Sequence, residues 1–185
     1  SGVNVHEGIE VEQRVDLADE HHISVNFEDP NGHGTGIAGM INGKKEKGQL
    51  SGVADNVALY SVKVLDQDNT TPVSRLIEGI YWCIENEMDV INLSLGCSYD
   101  SEALAAAVQD AAKAGIILVA AAGNAGDDAS LEYPAAYDDV IAVGASNEYN
   151  QVSSFTSGKE QIDVMAPGEK IWTYSMLGGY VAVDG

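Results

Sequence analysis

Apolar and polar positions change period along the chain, and the changes mark its elements. The run Leu59-Tyr60-Ser61-Val62-Lys63-Val64-Leu65 is rich in β-branched and aromatic residues and predicts a strand. Thr71 and Pro72 then supply a cap and a first-turn residue, and Leu76, Ile80 and Ile84 recur on one face of a helix. Residues 90–95 predict the next strand. Ser101 caps an alanine-rich helix over 102–114, Gly115 stops it, and 116–121 is a continuous apolar strand of the kind found in parallel sheets. Residues 140–145 make another. Short apolar strands alternating with helices predict an α/β fold with a mostly parallel central sheet flanked by helices, its sites at the carboxyl ends of strands. Gly96 and Asn124 fall at two such ends. No internal repeat, low-complexity tract or Pro-rich linker interrupts the 185 residues, so a single domain over 1–185 is expected.

Composition narrows the partners. Nine Lys and Arg against 29 Asp and Glu give a formal charge of -20, which would repel a phosphate backbone and argues against nucleic acid. The same imbalance keeps a surface solvated and favours cationic over acidic peptides. Cys83 and Cys97 fall in different patterned segments, with neither CxxC spacing nor a His at metal-ligand spacing, and read as small buried or half-buried side chains. No apolar run reaches the roughly 18 residues of a membrane span, and no basic, apolar leader opens the chain.

Four segments carry chemistry. Asn31-Gly32-His33-Gly34-Thr35-Gly36-Ile37-Ala38-Gly39 sets one His among glycines at the start of an apolar helix, where small neighbours let a substrate backbone approach an imidazole. Val119-Ala120-Ala121-Ala122-Gly123-Asn124-Ala125-Gly126 ends an alanine-rich strand in an Asn whose amide can face a developing oxyanion. Between them lies Asp89-Val90-Ile91-Asn92-Leu93-Ser94-Leu95-Gly96, and Asp163-Val164-Met165-Ala166-Pro167-Gly168 comes near the end. Gly34-Thr35-Gly36-Ile37-Ala38-Gly39 also fits the GxGxxG dinucleotide fingerprint. That fingerprint should follow an apolar strand, however, and here it follows the polar turn Glu28-Asp29-Pro30-Asn31-Gly32.

Taken in this order, the four segments resemble the subtilisin-like serine proteases over essentially the whole chain. The resemblance implies their three-layer α/β fold and peptide-bond hydrolysis through an Asp-His-Ser triad, on peptide or protein substrates. His33 matches the general base and Asn124 the oxyanion donor. Ser94, Leu95 and Gly96 match the segment that pairs with substrate and forms one wall of the first specificity pocket; Ala121, Ala122 and Gly123 match the other wall, and 69–73 the edge strand on the substrate's far side. Glu132, directly before Tyr133-Pro134, matches the residue at the base of that pocket, where a carboxylate favours Lys or Arg before the scissile bond. A shortened loop could instead carry Glu132 to the surface.

The family often has a second His three positions after the first, where this chain has Gly36, a departure expected to touch packing more than chemistry. The family's orienting Asp and its nucleophilic Ser would match positions just outside 1–185, so the isolated chain is expected to be inactive, with self-association through apolar surface left uncovered. No cofactor is expected. The lysine-rich stretch Lys44-Lys45-Glu46-Lys47-Gly48-Gln49-Leu50 is poor company for the family's tight calcium ion, whereas Asp163, with carbonyls of Ala135, Tyr137 and Val140, matches a weak site for Ca or Na. The resemblance favours a secreted or cell-surface location. A non-catalytic subtilisin-like interaction module and a dinucleotide-binding domain are the alternatives.

Overall fold

Among the described residues, a two-stranded parallel sheet, a four-stranded parallel sheet and a second two-stranded sheet organise the chain. The computed structural model describes residues 2–4, 8–18, 28–44, 51–126 and 128–185. Two compact units emerge, Ser1–Gly79 with Trp172–Ala182, and Ile80–Ile171 with Val183–Gly185. Each is described by itself.

The first unit holds β1 (Gln13–Asp16), α1 (His33–Asn42) and β2 (Tyr60–Lys63), and its chain enters α2 (Val73–Glu85). β1 and β2 pair in parallel with Arg14 opposite Ser61, and the shielded Lys63–Asp16 ion pair at 3.3 Å closes the end of the ladder. Later in the chain, β7 (Ile171–Tyr174) and β8 (Tyr180–Val183) form a two-stranded sheet. Tyr174 is fully buried and forms a core with Val3, Ile9 and Ala38. α1 reaches this core because its inner face is stripped of side chains. A Cβ on Gly39 would lie 3.0 Å from Tyr174 Cγ, and one on Gly36 would lie 3.2 Å from Thr173 Cγ2. Thr173 Oγ1 donates to the Gly36 carbonyl at 2.5 Å, so the helix is seated on β7 by contact and by hydrogen bond. Gly36 is thus a packing residue.

In the second unit, β3 (Val90–Leu93), β4 (Ile117–Ala121), β5 (Val140–Ser146) and β6 (Val164–Pro167) form one all-parallel sheet in the order β3-β4-β5-β6. α3 (Glu102–Lys113) packs against β4 and buries Leu104, Ala107, Val108 and Ala111 completely. Ser101 Oγ accepts from the Leu104 amide at 3.4 Å, and Gly115, at φ +88°, turns the chain out of the helix. Ile91, Leu93, Leu118, Ala120, Val140 and Ala142 lie buried on one face of the sheet. The other face is also apolar yet open, with Val90 55% and Ile117 52% exposed, the composition of parallel strands that are ordinarily covered on both sides.

The predicted strands and helices at 59–65, 71–84, 90–95, 102–114, 116–121 and 140–145 all form, most with ends trimmed by one or two residues, while α2 and β5 each run one residue further. β1, β6, β7 and β8 have no counterpart in the apolar pattern. Gln-Arg-Val-Asp carries a single apolar residue, and β6 and β8 are exposed throughout.

Candidate active site

His33 is the first residue of α1, following Gly32 at φ +80°. Gly32 has no side chain to cap the helix, so neighbouring residues do so. Asn31 Oδ1 accepts from the His33 amide at 3.2 Å, and Asn31 Nδ2 donates to Asn69 Oδ1 at 2.7 Å. Asn31 therefore ties the histidine's backbone to 66–70. That segment is a turn rather than a strand: Asp66 Oδ1 accepts from the Asp68 and Thr70 amides, each at 2.9 Å, and Asn69 takes φ +59°. Those hydrogen bonds, the Thr70 amide foremost, hold the Asp66 carboxyl below the usual carboxylate range. The His33 ring is half-buried. Burial is the main cause lowering its pKa, and Asp29 opposes it. The imidazole is therefore neutral at neutral pH and able to accept a proton.

The second unit gathers the other predicted residues around one short segment. β3 and β4 run side by side with Leu93 opposite Ala120, so 94–96 and 121–124 leave the sheet at the same end. The stretch 131–134 is stitched to both. The Glu132 amide donates to the Ala122 carbonyl at 3.0 Å. Tyr133 and Cys97 exchange two hydrogen bonds, at 2.9 and 2.8 Å, in an isolated antiparallel bridge. This directs the Glu132 side chain between the two glycines. A Cβ on Gly96 would lie 2.9 Å from Glu132 Cβ, and one on Gly123, at φ +106°, would lie 2.7 Å from its carboxyl carbon. Glu132 is half-buried, not carried to the surface, and no cation pairs with it among the described residues.

Asn124 is exposed on the loop that follows β4. Its loop is held from behind: Ser157 Oγ accepts from the Ala125 amide at 2.9 Å, the Ser157 amide donates to the Gly123 carbonyl at 3.0 Å, and Gly126 donates to the Phe155 carbonyl at 2.8 Å. Ser157 and Phe155 were missed by sequence reasoning, which offers only the cluster of small polar residues at 153–157 as a signal. Tyr137 was also missed as a brace. Its hydroxyl donates to Asp100 Oδ1 at 3.0 Å and accepts from the Ser101 amide at 3.2 Å, and burial pushes the phenol up to about 12.

Asp163 is exposed, and its Oδ2 already accepts from the Ala142 amide at 2.8 Å, while the Tyr137 carbonyl accepts from the Val140 amide at 3.0 Å. Among the described residues, no group of three or more His, Cys, Asp or Glu gathers to hold a metal. Residues 45–50 of the lysine-rich stretch, and Ser1, lie outside the described residues. Cys83 is buried and Cys97 half-buried, both unpaired with each other, and burial pushes the Cys83 thiol up to about 11. No described helix is long and apolar enough to cross a membrane.

Comparison with known proteins identifies the family to which a parallel α/β sheet, a histidine-led helix and these strand-end loops belong. The subtilase family model, Peptidase_S8, matches residues 6–183. Subtilisin from Bacillus pumilus is 45% identical over 162 residues, covering 86% of this chain and 59% of that protein. Minor extracellular protease Epr from Bacillus subtilis is 43% identical over 156 residues, 84% of this chain and 24% of that protein. A solved cold adapted subtilisin-like serine proteinase superposes with a TM-score of 0.85 at 35% identity, covering 100% of this chain and 66% of that one. The chain belongs to the subtilase family. It spans between about a quarter and three fifths of the length of these two curated relatives.

Proposed function

We propose that this chain contributes the general base and the oxyanion amide of a subtilisin-like serine endopeptidase that cleaves after Lys or Arg. His33 takes the proton from a nucleophilic serine and returns it to the leaving amine, with an aspartate orienting the ring, and Asn124 donates its amide to the tetrahedral oxyanion. An extended peptide pairs along 94–96 and sets its side chain between Gly96 and Gly123, over Glu132. The observation that carries the specificity is the Glu132 carboxylate held between those two glycines. An Arg or Lys side chain supplies the missing counter-charge, whereas Phe or Leu leaves the carboxylate desolvated and unpaired.

Competing cleavage of peptides with Arg, Phe or Leu before the scissile bond, by the full-length protease carrying this sequence, tests the reading. Arg is expected to lead, and Glu132→Ser to reverse the order toward Phe. A native preference for Phe discards the specificity. Residues 1–185 hold no segment matching the family's Gly-Thr-Ser-Met-Ala, so as a separate polypeptide they are read as inactive. Labelling of that polypeptide by a fluorophosphonate probe contradicts this. The open face carrying Val90 and Ile117 favours self-association, which sedimentation at increasing concentration would reveal.

A further inference from the structure

A carboxylate that sequence reasoning passed over as part of a polar turn is among the most enclosed polar groups in the molecule. Asp29 is fully buried four residues before His33. Its Oδ2 accepts from the Thr35 amide at 2.6 Å, which makes it the side-chain cap that Gly32 cannot supply. Its other oxygen, Oδ1, is buried with no hydrogen-bond partner among the described residues. Asn4 braces it on the main-chain side: the Asp29 amide donates to Asn4 Oδ1 at 2.8 Å, and Asn4 Nδ2 donates to the Asp29 carbonyl at 3.4 Å. The Asn4 amide in turn donates to Thr35 Oγ1 at 3.0 Å, closing a ring of three residues. Thr35 is 1% exposed.

If Asp29 served stability alone, an unpartnered buried oxygen would be a cost with no return, since an unsatisfied buried acceptor disfavours the fold. A neutral asparagine could cap the same amide. A negative charge at the amino end of α1 does two things an amide cannot. It complements the helix dipole, and it acts on whatever ionises at the first helical position, which is His33.

We infer that Asp29 is a positioning residue for His33, fixing the first turn of α1 through Thr35 and stabilising the imidazolium that forms when His33 holds a proton. The inference rests on the reading of His33 as general base for its catalytic meaning, but not for its physical content. Among the described residues, Asp29 acts on the ring to favour the protonated form, and burial opposes it.

The test is an NMR titration of His33 in the 185-residue chain, with the amino terminus identical in every variant. Asp29→Asn keeps an acceptor for Thr35 and removes only the charge, so the His33 midpoint is expected to fall while the α1 signals persist. Thr35→Ala removes the hydroxyl and leaves the carboxylate, so it is expected to lower stability with the midpoint held. An unchanged midpoint in a folded Asp29→Asn overturns the inference. Should that variant not fold, the wild-type chain decides, because coupling is reciprocal: the Asp29 carboxyl carbon signal must show a step at the His33 midpoint. Absence of that step also overturns it. Neither readout requires peptide cleavage, so an inactive protein would sink the protease reading and leave this one standing.

Discussion

In the first unit the segment bearing His33 is fixed by side chains. Asp29, Asn4, Thr35 and Asn31 supply the hydrogen bonds at the head of α1, and Thr173 and Tyr174 supply the floor on which Gly36 and Gly39 respectively rest. In the second unit the segments bearing Gly96, Asn124 and Glu132 are fixed mainly by main chain. The links from Glu132 to Ala122, Tyr133 to Cys97, Ser157 to Gly123 and Gly126 to Phe155 are backbone hydrogen bonds. A main-chain stitch survives substitution of its residues, whereas a side-chain clamp does not. Tolerance to mutation should therefore differ between the two regions, even though both contribute groups to one proposed reaction.

The largest expected effect strikes the clamp. Tyr174→Ala empties the fully buried floor under α1, and deleting a buried aromatic costs about 3–5 kcal/mol. Denaturant unfolding of the chain measures it. A loss below about 1 kcal/mol would show that α1 does not depend on this seat, and the contrast between the regions would fail.

Asn124→Ala works in the opposite sense. The side chain is exposed, so stability should change by no more than about 0.5 kcal/mol. In the full-length protease, loss of one oxyanion donor should lower kcat by about 10²–10³ with KM nearly unchanged. A drop confined to KM would assign Asn124 to substrate binding and not to the transition state.

The second unit was the more legible of the two in the sequence, for the same physical reason. Strands 90–95, 116–121 and 140–145 are runs of apolar residues whose partners are backbone, so local pattern suffices to find them. The segment proposed to set specificity was reached through Tyr133-Pro134, beside which the resemblance set Glu132. His33 was found the same way. Its supports were not, because Asn4 meets Asp29 and Thr35 across 25 and 31 residues of chain and leaves no periodic trace. Tyr174 was equally hidden, since Ile-Trp-Thr-Tyr shows no alternation that marks its last residue as a core aromatic. Ser157 belongs with them: a serine that anchors a loop looks like any serine in a polar stretch.

The smallest effect separates the regions by pH. All four histidines, His6, His21, His22 and His33, fall within the span of the first unit, and none occurs in 80–171 or 183–185. Burial lowers the His33 pKa below its ordinary value, so the folded ring prefers to be neutral. Above about pH 6.5 an unfolded histidine is also mostly neutral, and the stability is fully present. As pH falls from there, the unfolded chain binds the proton first, and stability is lost until pH passes the lower folded value. Hydrogen exchange between about pH 7 and 5, corrected for intrinsic rates, should therefore show α1 amides losing protection while β4 and β5 amides keep theirs. His33→Gln should flatten the α1 response if His33 is its source, and Asp29→Asn should steepen it, because removing the carboxylate depresses the folded pKa further. Equal loss of protection in α1 and in β4 would mean that the two regions unfold as one, and the difference in how they are held would then carry no consequence for stability.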